Sequence, residues 1–425
     1  NWKMIIFLIA ALFSPNTGLS IEPLPELSFD SNIEPDQIPI GIKMHDDLRY
    51  IEERINSGEI DESINWLKLE IRDTEQAYGR YNQALVYHLV LLGDAYSKQE
   101  DYGAALQNYR RAIHIERINA GLHSKSQIPI VVREARMLAT IENIDAATDR
   151  YEYAYNVLER AHEENSLELV DGLYLLGNWY TAINDVYAAR SMYQSAMSIL
   201  AAHGLSNDEK ALPALYGIAL GYRLERFPPN YIEASTYPTA SSGQFDVDQS
   251  AILTINNFPA GEQALQQIIA IYRSQPDKFS ASQRLEAILT LADWYLLWDK
   301  NSRAKRLYAF VHTELNESGE QYAEDYFKEP RLLYFPIPKR IKVPPLDRRG
   351  NQLQGQIVLE FDVTKTGYVR RLKTTKAEPK GPMEFRVRKS MRLARYRPAM
   401  EDGNPIEYQN EQHSYQFNYF EKKTK

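Results

Sequence analysis

The stretch VDGLYLLGNWYTAINDVYAARSMYQSAMSILAAH, residues 170–203, decides how most of this chain folds. Small and aromatic residues recur in it at helical spacing, with Gly177 in the first half and Ala189 and Tyr193 in the second. Side chains three or four positions apart share one face of a helix, and Asn184-Asp185 has the composition of a turn. The stretch therefore predicts two antiparallel helices that approach closely at small residues.

The same pattern recurs with a period of about 42 residues, which is typical of a repeat protein. The repeated positions, copy by copy, are Ile51, Arg54, Ser63, Leu67, Glu70; Leu92, Gly93, Tyr96, Ala105, Tyr109, Ala112; Ala135, Leu138, Ala147, Tyr151, Ala154; Leu176, Gly177, Tyr180, Ala189, Tyr193, Ala196; and Ala292, Tyr295, Ala304, Tyr308, Val311. We expect about six helical pairs, of which the fifth is interrupted by an insertion at 228–261. That insertion is either a tolerated surface loop or a partner-binding segment.

These residues resemble the tetratricopeptide repeat over 43–317, most strongly at 86–119 and 170–203, although the period is longer than is usual for that repeat. The resemblance implies a mainly α fold, an α-solenoid of about six helical hairpins in which each unit stabilises its neighbours. Such solenoids bind extended peptides in a groove. Asn178, next to Gly177, is the candidate groove residue.

The periodicity changes after a proline-rich segment, 318–345, which we interpret as a linker. Ile357, Leu359, Phe361 and Val363 alternate with polar positions, as in a half-buried strand. A turn and a returning strand follow, then a helix that opens at Pro382 and a last alternating strand. This order predicts a small α+β domain at 346–425, an antiparallel sheet with one helix packed on it.

That domain resembles the C-terminal domain of the TonB family. The resemblance rests on residues 355–363, Gly367-Tyr368-Val369, 395–399 and 403–406. It implies strand addition, in which a short segment of an outer-membrane receptor pairs with the sheet edge near 412–420. The candidate partner-binding residues there are Gln412, Ser414, Gln416 and Asn418. The chain departs from the family because the solenoid replaces the long spacer that follows the family's membrane anchor.

The N-terminus predicts export. Lys3 precedes an apolar run at 4–13, and small residues at 18–20 suit signal cleavage. Ten apolar residues span about 15 Å as a helix, about half of a bilayer core. We expect a signal peptide at 1–20, an extended segment at 21–42 and a periplasmic location. An uncleaved signal would instead attach the protein to the inner membrane, and a start at Met4 would weaken the signal interpretation.

The charge is divided unevenly. Residues 331–425 carry 21 Lys and Arg against 10 Asp and Glu, whereas the chain as a whole has a net charge of −8. The basic part favours an acidic target: lipid headgroups, an anionic polysaccharide or the acidic repeats themselves. It lacks the aromatic platform of a nucleic-acid-binding surface, so we expect no nucleic acid partner. We expect membrane contact only through an uncleaved signal segment.

The sequence contains no pattern typical of an enzyme. Its eight histidines lack metal-ligand spacing, and it has no cysteine. We expect no catalytic residue, no cofactor and no metal site. The sequence favours a periplasmic adaptor or scaffold that binds envelope proteins or peptides, with an outer-membrane receptor among the candidates. The alternatives are a component of TonB-type energised transport across the outer membrane and a structural part of an envelope assembly.

Overall fold

The structure, a computed structural model, describes residues 42–230, 257–317, 326–339 and 352–420. The chain divides into two compact units, and the division falls after Gly217. The predicted signal peptide lies outside the described residues. So do most of the extended segment and of the insertion, and half of the linker.

The first unit consists of helical hairpins. Its helices are α1 (Ile42–Ser57), α2 (Ile60–Tyr78), α3 (Leu85–Lys98), α4 (Tyr102–Ala120), α5 (Ile128–Thr140), α6 (Ile144–Ala161), α7 (Leu169–Ala182) and α8 (Val186–Ala202). Helix α9 (Leu212–Arg226) contains the division between the units. In the first unit, each odd-numbered helix packs on the helix that follows it. The unit is therefore a series of antiparallel pairs, as the repeated pattern predicts.

The turns inside the hairpins share one geometry. In the second, third and fourth pairs, the residue before the second helix caps that helix: the side chains of Asp101, Asn143 and Asp185 accept hydrogen bonds from backbone N–H groups in the first turns of α4, α6 and α8. The preceding residue has a positive φ, for example 64° at Glu100 and 63° at Asn184. A left-handed residue followed by an N-cap reverses the chain over a short distance, which keeps the two helices antiparallel.

Close approach of the helices depends on glycines that face a buried tyrosine. A Cβ atom on Gly177 of α7 would lie 2.6 Å from the ring of Tyr193, which projects from α8. The other side of the same ring lies against Gly217 of α9. The Tyr193 side chain is only 1 % exposed. The ring therefore fills the space between two hairpins and has no room to move away from either helix.

The second unit contains the remaining repeats and the C-terminal domain. Helix α10 (Phe258–Ser274) packs on α11 (Ala281–Leu297), and α11 pairs with α12 (Asn301–Glu317). Asn257, the residue before α10, donates to the carbonyl of Tyr222 and to the carboxylate of Glu225 on α9, at 2.7 and 3.0 Å. Helix α10 thus begins inside the segment predicted as an insertion and is joined to the end of α9.

The C-terminal domain has the predicted order of two strands, a helix and a strand. Its main elements are β2 (Gln352–Val363), β3 (Val369–Glu378), α13 (Pro382–Met391) and β7 (Tyr408–Phe420). The sheet order is β3-β2-β7, and both pairings are antiparallel. The core lies between the sheet and α13, with Ile357, Leu359 and Phe361 packed against Val387 and Met391. The predicted fold class, helical repeats followed by a small α+β domain, is confirmed.

Four short strands complete the domain: β1 (Arg331–Tyr334), β4 (Arg395–Arg397), β5 (Met400–Glu401) and β6 (Asn404–Pro405). Strands β5 and β6 form a hairpin. Strand β1 pairs antiparallel with β4, with Leu332 opposite Tyr396. Part of the segment predicted as a linker is therefore a strand, which joins the domain that follows it.

Substitution of Gly177 by alanine tests the close approach of the helices. We expect Gly177→Ala to lower the free energy of unfolding by about 1–3 kcal/mol, because the added methyl overpacks a site closed on both sides. Gly103→Ala is the matched control, since its Cβ would meet only Asp101 Oδ1, at 3.7 Å. Urea denaturation followed by circular dichroism measures both variants. Equal stability of the two proteins would contradict the prediction.

Candidate functional site

Each buried tyrosine of the repeats needs a partner for its hydroxyl group, and the partner stands at a fixed spacing before it, on the first helix of the pair. Tyr109 donates to Asp94 Oδ1 at 2.6 Å, and Tyr193 donates to Asn178 Oδ1 at 2.7 Å. In the third copy the partner of Tyr151 is Arg136, which lies at the same spacing. A buried phenol without a partner is destabilising, so this position is polar for a structural reason.

Asn178, the predicted groove residue, therefore has an intramolecular role. Its side-chain oxygen is occupied by the Tyr193 hydroxyl, which fixes the amide group in one orientation. The side chain remains partly exposed. Within the described parts of the chain, its amide nitrogen makes no hydrogen bond.

The same position in the last hairpin, Asp293, is where the C-terminal domain attaches. Tyr308 donates to Asp293 Oδ1 at 2.7 Å. Arg397 of β4 donates to the same carboxylate through two nitrogens, Nε to Oδ1 at 2.9 Å and Nη2 to Oδ2 at 2.7 Å. The Arg397 and Asp293 side chains are 3 % and 12 % exposed. A bidentate, buried pair of this kind is strong and directional.

The first unit contains a parallel to this contact. Arg133 of α5, on the first helix of the next hairpin, donates to Asp94 Oδ1 at 3.1 Å. Asp94 and Asp293 occupy the same repeat position, and each accepts from its own tyrosine and from one arginine. Arg397 of the C-terminal domain thus takes the place that an arginine of a following repeat would have.

Arg395 adds a second attachment two residues away. It donates through Nη2 to the carbonyl of Leu296 at 2.8 Å and forms an ion pair with Asp299. Its guanidinium stacks on the ring of Tyr368, 3.5 Å from the centroid, and the Tyr368 hydroxyl donates to Asp299 at 2.7 Å. The C-terminal end of α11 is therefore held by the turn of the β2–β3 hairpin and by β4.

Electrostatics keep this junction charged. Burial alone would lower the pKa of the Arg397 guanidinium, but the Asp293 charge raises it well above its ordinary value. Burial, followed by the charge of Asp293, raises the pKa of the Tyr308 hydroxyl. Both groups therefore hold their protons across the physiological range.

The predicted partner-binding residues lie together on β7, at one edge of the three-stranded sheet. Gln412, Ser414, Gln416 and Asn418 are exposed on one face of the strand. Gln416 accepts a hydrogen bond from Gln354 at 3.0 Å, and Ser414 accepts one from Gln356 at 2.9 Å, both across from β2. These bonds order the exposed side chains of β7. They join side chains only and do not use the backbone groups at the edge of the strand.

The two edges of the sheet differ in how they are protected against pairing. Strand β3 carries Arg370, Arg371, Lys373 and Lys376 on exposed positions. Arg388 of α13 donates to Leu372 O at 3.4 Å and to Thr374 Oγ1 at 3.1 Å, and the β2–β3 register shifts twice. Cations and irregular register are the means by which proteins block a strand edge.

Strand β7 carries none of the cations found on β3, and its one register shift lies near its start, between Tyr408 and Glu411. Its 13 residues contain one carboxylate, Glu411, and no Lys, Arg or Pro. Its pairing with β2 keeps regular register from Phe420 to Glu411. A long edge strand of this composition is a template for an added strand.

The opposite face of β7 packs on an aromatic side chain from the segment before the domain. The Phe335 ring lies 4.9 Å from His413 and 6.1 Å from Tyr415, measured between centroids. Burial lowers the pKa of the His413 imidazole. The neutral ring is therefore the form that this packing favours.

Residues 345–419 match the family model of the Gram-negative bacterial TonB protein C-terminal. We call residues 352–420 the TonB-like domain. The match bears out the resemblance that the sequence motifs carry, and it implies a Gram-negative envelope context.

Three solved structures illustrate what this chain is similar to. A putative kinesin light chain from Podosopora anserina, with nearly identical TPR-like repeats, is 12 % identical with a TM-score of 0.42, covering 55 % of this chain and 97 % of that one. BtubC from P. vanneervenii is 14 % identical with a TM-score of 0.42, covering 69 % and 97 %. Aspartyl phosphate phosphatase F from Bacillus subtilis is 12 % identical with a TM-score of 0.41, covering 77 % and 76 %. Among curated proteins, no sequence matches the chain.

The described residues show neither a membrane-crossing helix nor a metal cluster. No helix there combines the length and the apolar composition that crossing a membrane requires. No group of three or more His, Asp or Glu side chains in the same residues is placed to hold a metal ion.

The sequence did not predict the junction of β4 with α11. In the sequence, residues 395–399 were recognised only as a motif of the TonB family. The acidic repeats were only one of several possible targets of the basic C-terminal part. One signal was present: Asp293 precedes Tyr308 by the same spacing at which Asp94 precedes Tyr109. An acidic residue at that position in the last repeat has no following repeat to supply its cation.

Removal of the Arg397 side-chain charge tests the junction. We expect Arg397→Met to lower the free energy of unfolding of the second unit by about 3–5 kcal/mol, because it leaves the Asp293 carboxylate buried without a cation. Arg370→Met, at an exposed position of β3, is the matched control. Urea denaturation and hydrogen exchange of α11 and α12 measure the change.

A double-mutant cycle separates the pair from general damage. Asp293→Asn combined with Arg397→Met should cost less than the sum of the single changes, by about 0.5–3 kcal/mol. Additive losses would show that the two side chains do not stabilise each other.

The pH dependence of stability tests the packing of His413. Its folded-state pKa is lowered, so below the unfolded-state pKa of about 6.5 the unfolded chain binds more protons. We expect the free energy of unfolding to be lower at about pH 6 than at about pH 7.5, and His413→Phe to reduce the difference. Part of the difference should persist, because burial also lowers the pKa of His88. A variant with the full pH dependence of the wild type would contradict the prediction.

Proposed function

We propose that this protein is a non-enzymatic periplasmic adaptor of a Gram-negative bacterium, which binds envelope proteins through an added strand at β7. The observation that supports it most directly is the difference between the two sheet edges. Strand β3 is blocked by cations and by Arg388, while β7 offers a nearly uncharged edge that keeps regular register from Glu411 to Phe420.

Strand addition suits the chemistry of this edge. The backbone of an added segment would hydrogen-bond to β7, and its alternate side chains would lie beside Gln412, Ser414, Gln416 and Asn418. These side chains are short or neutral and offer amide and hydroxyl groups. They would accept segments of varied sequence, so affinity would come mainly from the backbone.

The helical repeats supply the second binding surface in this proposal. On the first helices of the pairs, the position that binds the tyrosine hydroxyl carries Asp94, Arg136 and Asn178, three different polar groups held in place by buried tyrosines. Fixed polar groups at regular spacing suit an extended peptide, because its backbone groups also recur regularly. The proposal assigns no catalytic residue and no cofactor to either surface.

The TonB match favours a second candidate function, a component of energised transport across the outer membrane that delivers force to a receptor. A third candidate, a structural part of an envelope assembly, is supported by the Arg397–Asp293 pair, which fixes the TonB-like domain on the last hairpin. In that function the domain would serve to close the repeat array.

Site-specific photo-cross-linking in a Gram-negative host tests the proposal. A photoreactive phenylalanine analogue at Gln416 of β7 should cross-link the full chain to an envelope protein, identified by mass spectrometry. The same analogue at Thr375, exposed on β3, is the matched control and should give no such product. A second variant, Gln412→Lys with Asn418→Lys, should reduce the Gln416 cross-link, since lysines on an edge strand oppose pairing.

Three outcomes separate the candidate functions. Equal cross-linking at Thr375 and Gln416, or none at either, would contradict strand addition at β7. A Gln416 product that disappears when the proton gradient is collapsed would favour energised transport. A product that persists without the gradient would favour the adaptor.

A further inference from the structure

Helix α13 of the TonB-like domain has one face that the core of the domain does not use. Its buried face consists of Met383, Val387 and Met391 with Ser390, packed against the sheet. With successive side chains turned by about 100°, Phe385, Lys389 and Arg392 lie on the opposite side. We call these three residues the outer face of α13.

The outer face presents a large aromatic side chain to solvent. Phe385 is 65 % exposed, and Leu393, one residue after Arg392, is 37 % exposed. Single exposed apolar residues are common on proteins. Here Phe385 lies on a helix whose own core contacts are made on the other side, and Leu393 lies in the turn that follows this helix.

The apolar side chains are surrounded by positive charge. Lys389 and Arg392 are exposed beside Phe385 on the same face, and Lys380 is exposed just before the helix. Two further cations stand on the sides of the helix: Arg386 donates to the carbonyl of Lys339, in the segment before the domain, at 2.7 Å, and Arg388 binds β3. The outer face therefore combines an exposed ring with a solvent-facing basic surface.

We propose that the outer face of α13 docks on the surface of an anionic phospholipid bilayer. Phe385 and Leu393 enter the headgroup region, and Lys389 and Arg392 lie against lipid phosphates. An aromatic side chain flanked by cations on one helix face is the composition of an interfacial anchor. Clustered Lys and Arg residues add electrostatic attraction to acidic lipids. Membrane contact then occurs through the C-terminal domain, in addition to any made by the N-terminal apolar run.

A bilayer fits this face better than a polysaccharide or another polyanion. Cations alone would suffice for a polyanion, and an exposed phenylalanine would contribute little to it. Hydrocarbon is the environment that removes the Phe385 ring from water. The two binding modes therefore differ in whether Phe385 matters.

A fluorophore at position 385 reports docking locally. The chain has no cysteine, so Phe385→Cys labels at one site with an apolar, environment-sensitive dye. Tyr78→Cys is the matched control, because Tyr78 is 67 % exposed on α2, in the acidic first part of the chain. The full chain is mixed with vesicles of pure phosphatidylcholine or of an equimolar mixture of phosphatidylcholine and phosphatidylglycerol. We expect a blue shift of the dye at position 385 on the anionic vesicles only, and no shift at position 78.

Charge and aromatic variants complete the test. In the labelled protein, Lys389→Glu combined with Arg392→Glu should weaken vesicle binding by about 20-fold or more. The reason is that each cation removed lowers the affinity by about fivefold. Arg72→Glu with Arg80→Glu is the control with the same net charge and should leave the shift unchanged. In the unlabelled protein, Phe385→Ser should weaken sedimentation with anionic vesicles by about tenfold.

Two results would overturn the proposal. The first is that the protein sediments with vesicles while the dye at position 385 shows no blue shift. Another part of the chain would then be the part that binds. The second is that the Phe385→Ser variant binds anionic vesicles as well as the wild type does, while the charge-reversal variant binds them more weakly. That pattern would identify a polyanion-binding surface that any acidic polymer could occupy. All the substituted positions are exposed, and thermal unfolding verifies that each variant folds.

Discussion

The structure depends on the need of a buried tyrosine hydroxyl for a hydrogen-bond partner. Tyr109, Tyr193 and Tyr308 each fill the space where two helices cross, and each ring is almost fully buried. Because a phenol in that position must be satisfied, a polar residue has to stand opposite it on the first helix. The repeat therefore fixes two things at once, a small residue for close approach and a polar residue for the hydroxyl.

That polar residue then becomes the point through which one unit contacts the next. Asp94 receives Arg133 from the following hairpin, and Asp293 receives Arg397 from the TonB-like domain. The same acceptor serves a repeat–repeat contact in one place and a repeat–domain contact in the other. Functionally, the domain is carried on a buried and directional support instead of a loose tether, and β4, which provides the support, is separate from β7, which we propose binds the partner.

Local periodicity explains why so much of the fold could be predicted. The spacing of Gly177, Ala189 and Tyr193 defines one helical hairpin, and the alternation at 357–363 defines one strand, each within a short segment. The contacts that escaped prediction join distant parts of the chain: Arg397 with Asp293, and β1 with β4 across the intervening β2, β3 and α13. Their partners are set by three-dimensional geometry, which no local pattern contains. Asn178 shows the same limit. The sequence predicted its position on the helix, but it did not predict the hydrogen bond that its oxygen accepts from the Tyr193 hydroxyl.

The dual use of Asp293 also constrains how this chain can change in length. An interior hairpin such as α3–α4 or α7–α8 can be lost or duplicated as a whole repeat, since these repeats supply the same tyrosine and the same glycine. The last hairpin has no such freedom, because its acceptor residue must match an arginine that belongs to a different fold. Repeat number and domain attachment are thus separate evolutionary variables: the array can lengthen or shorten from within, while α11, α12 and β4 must be inherited together.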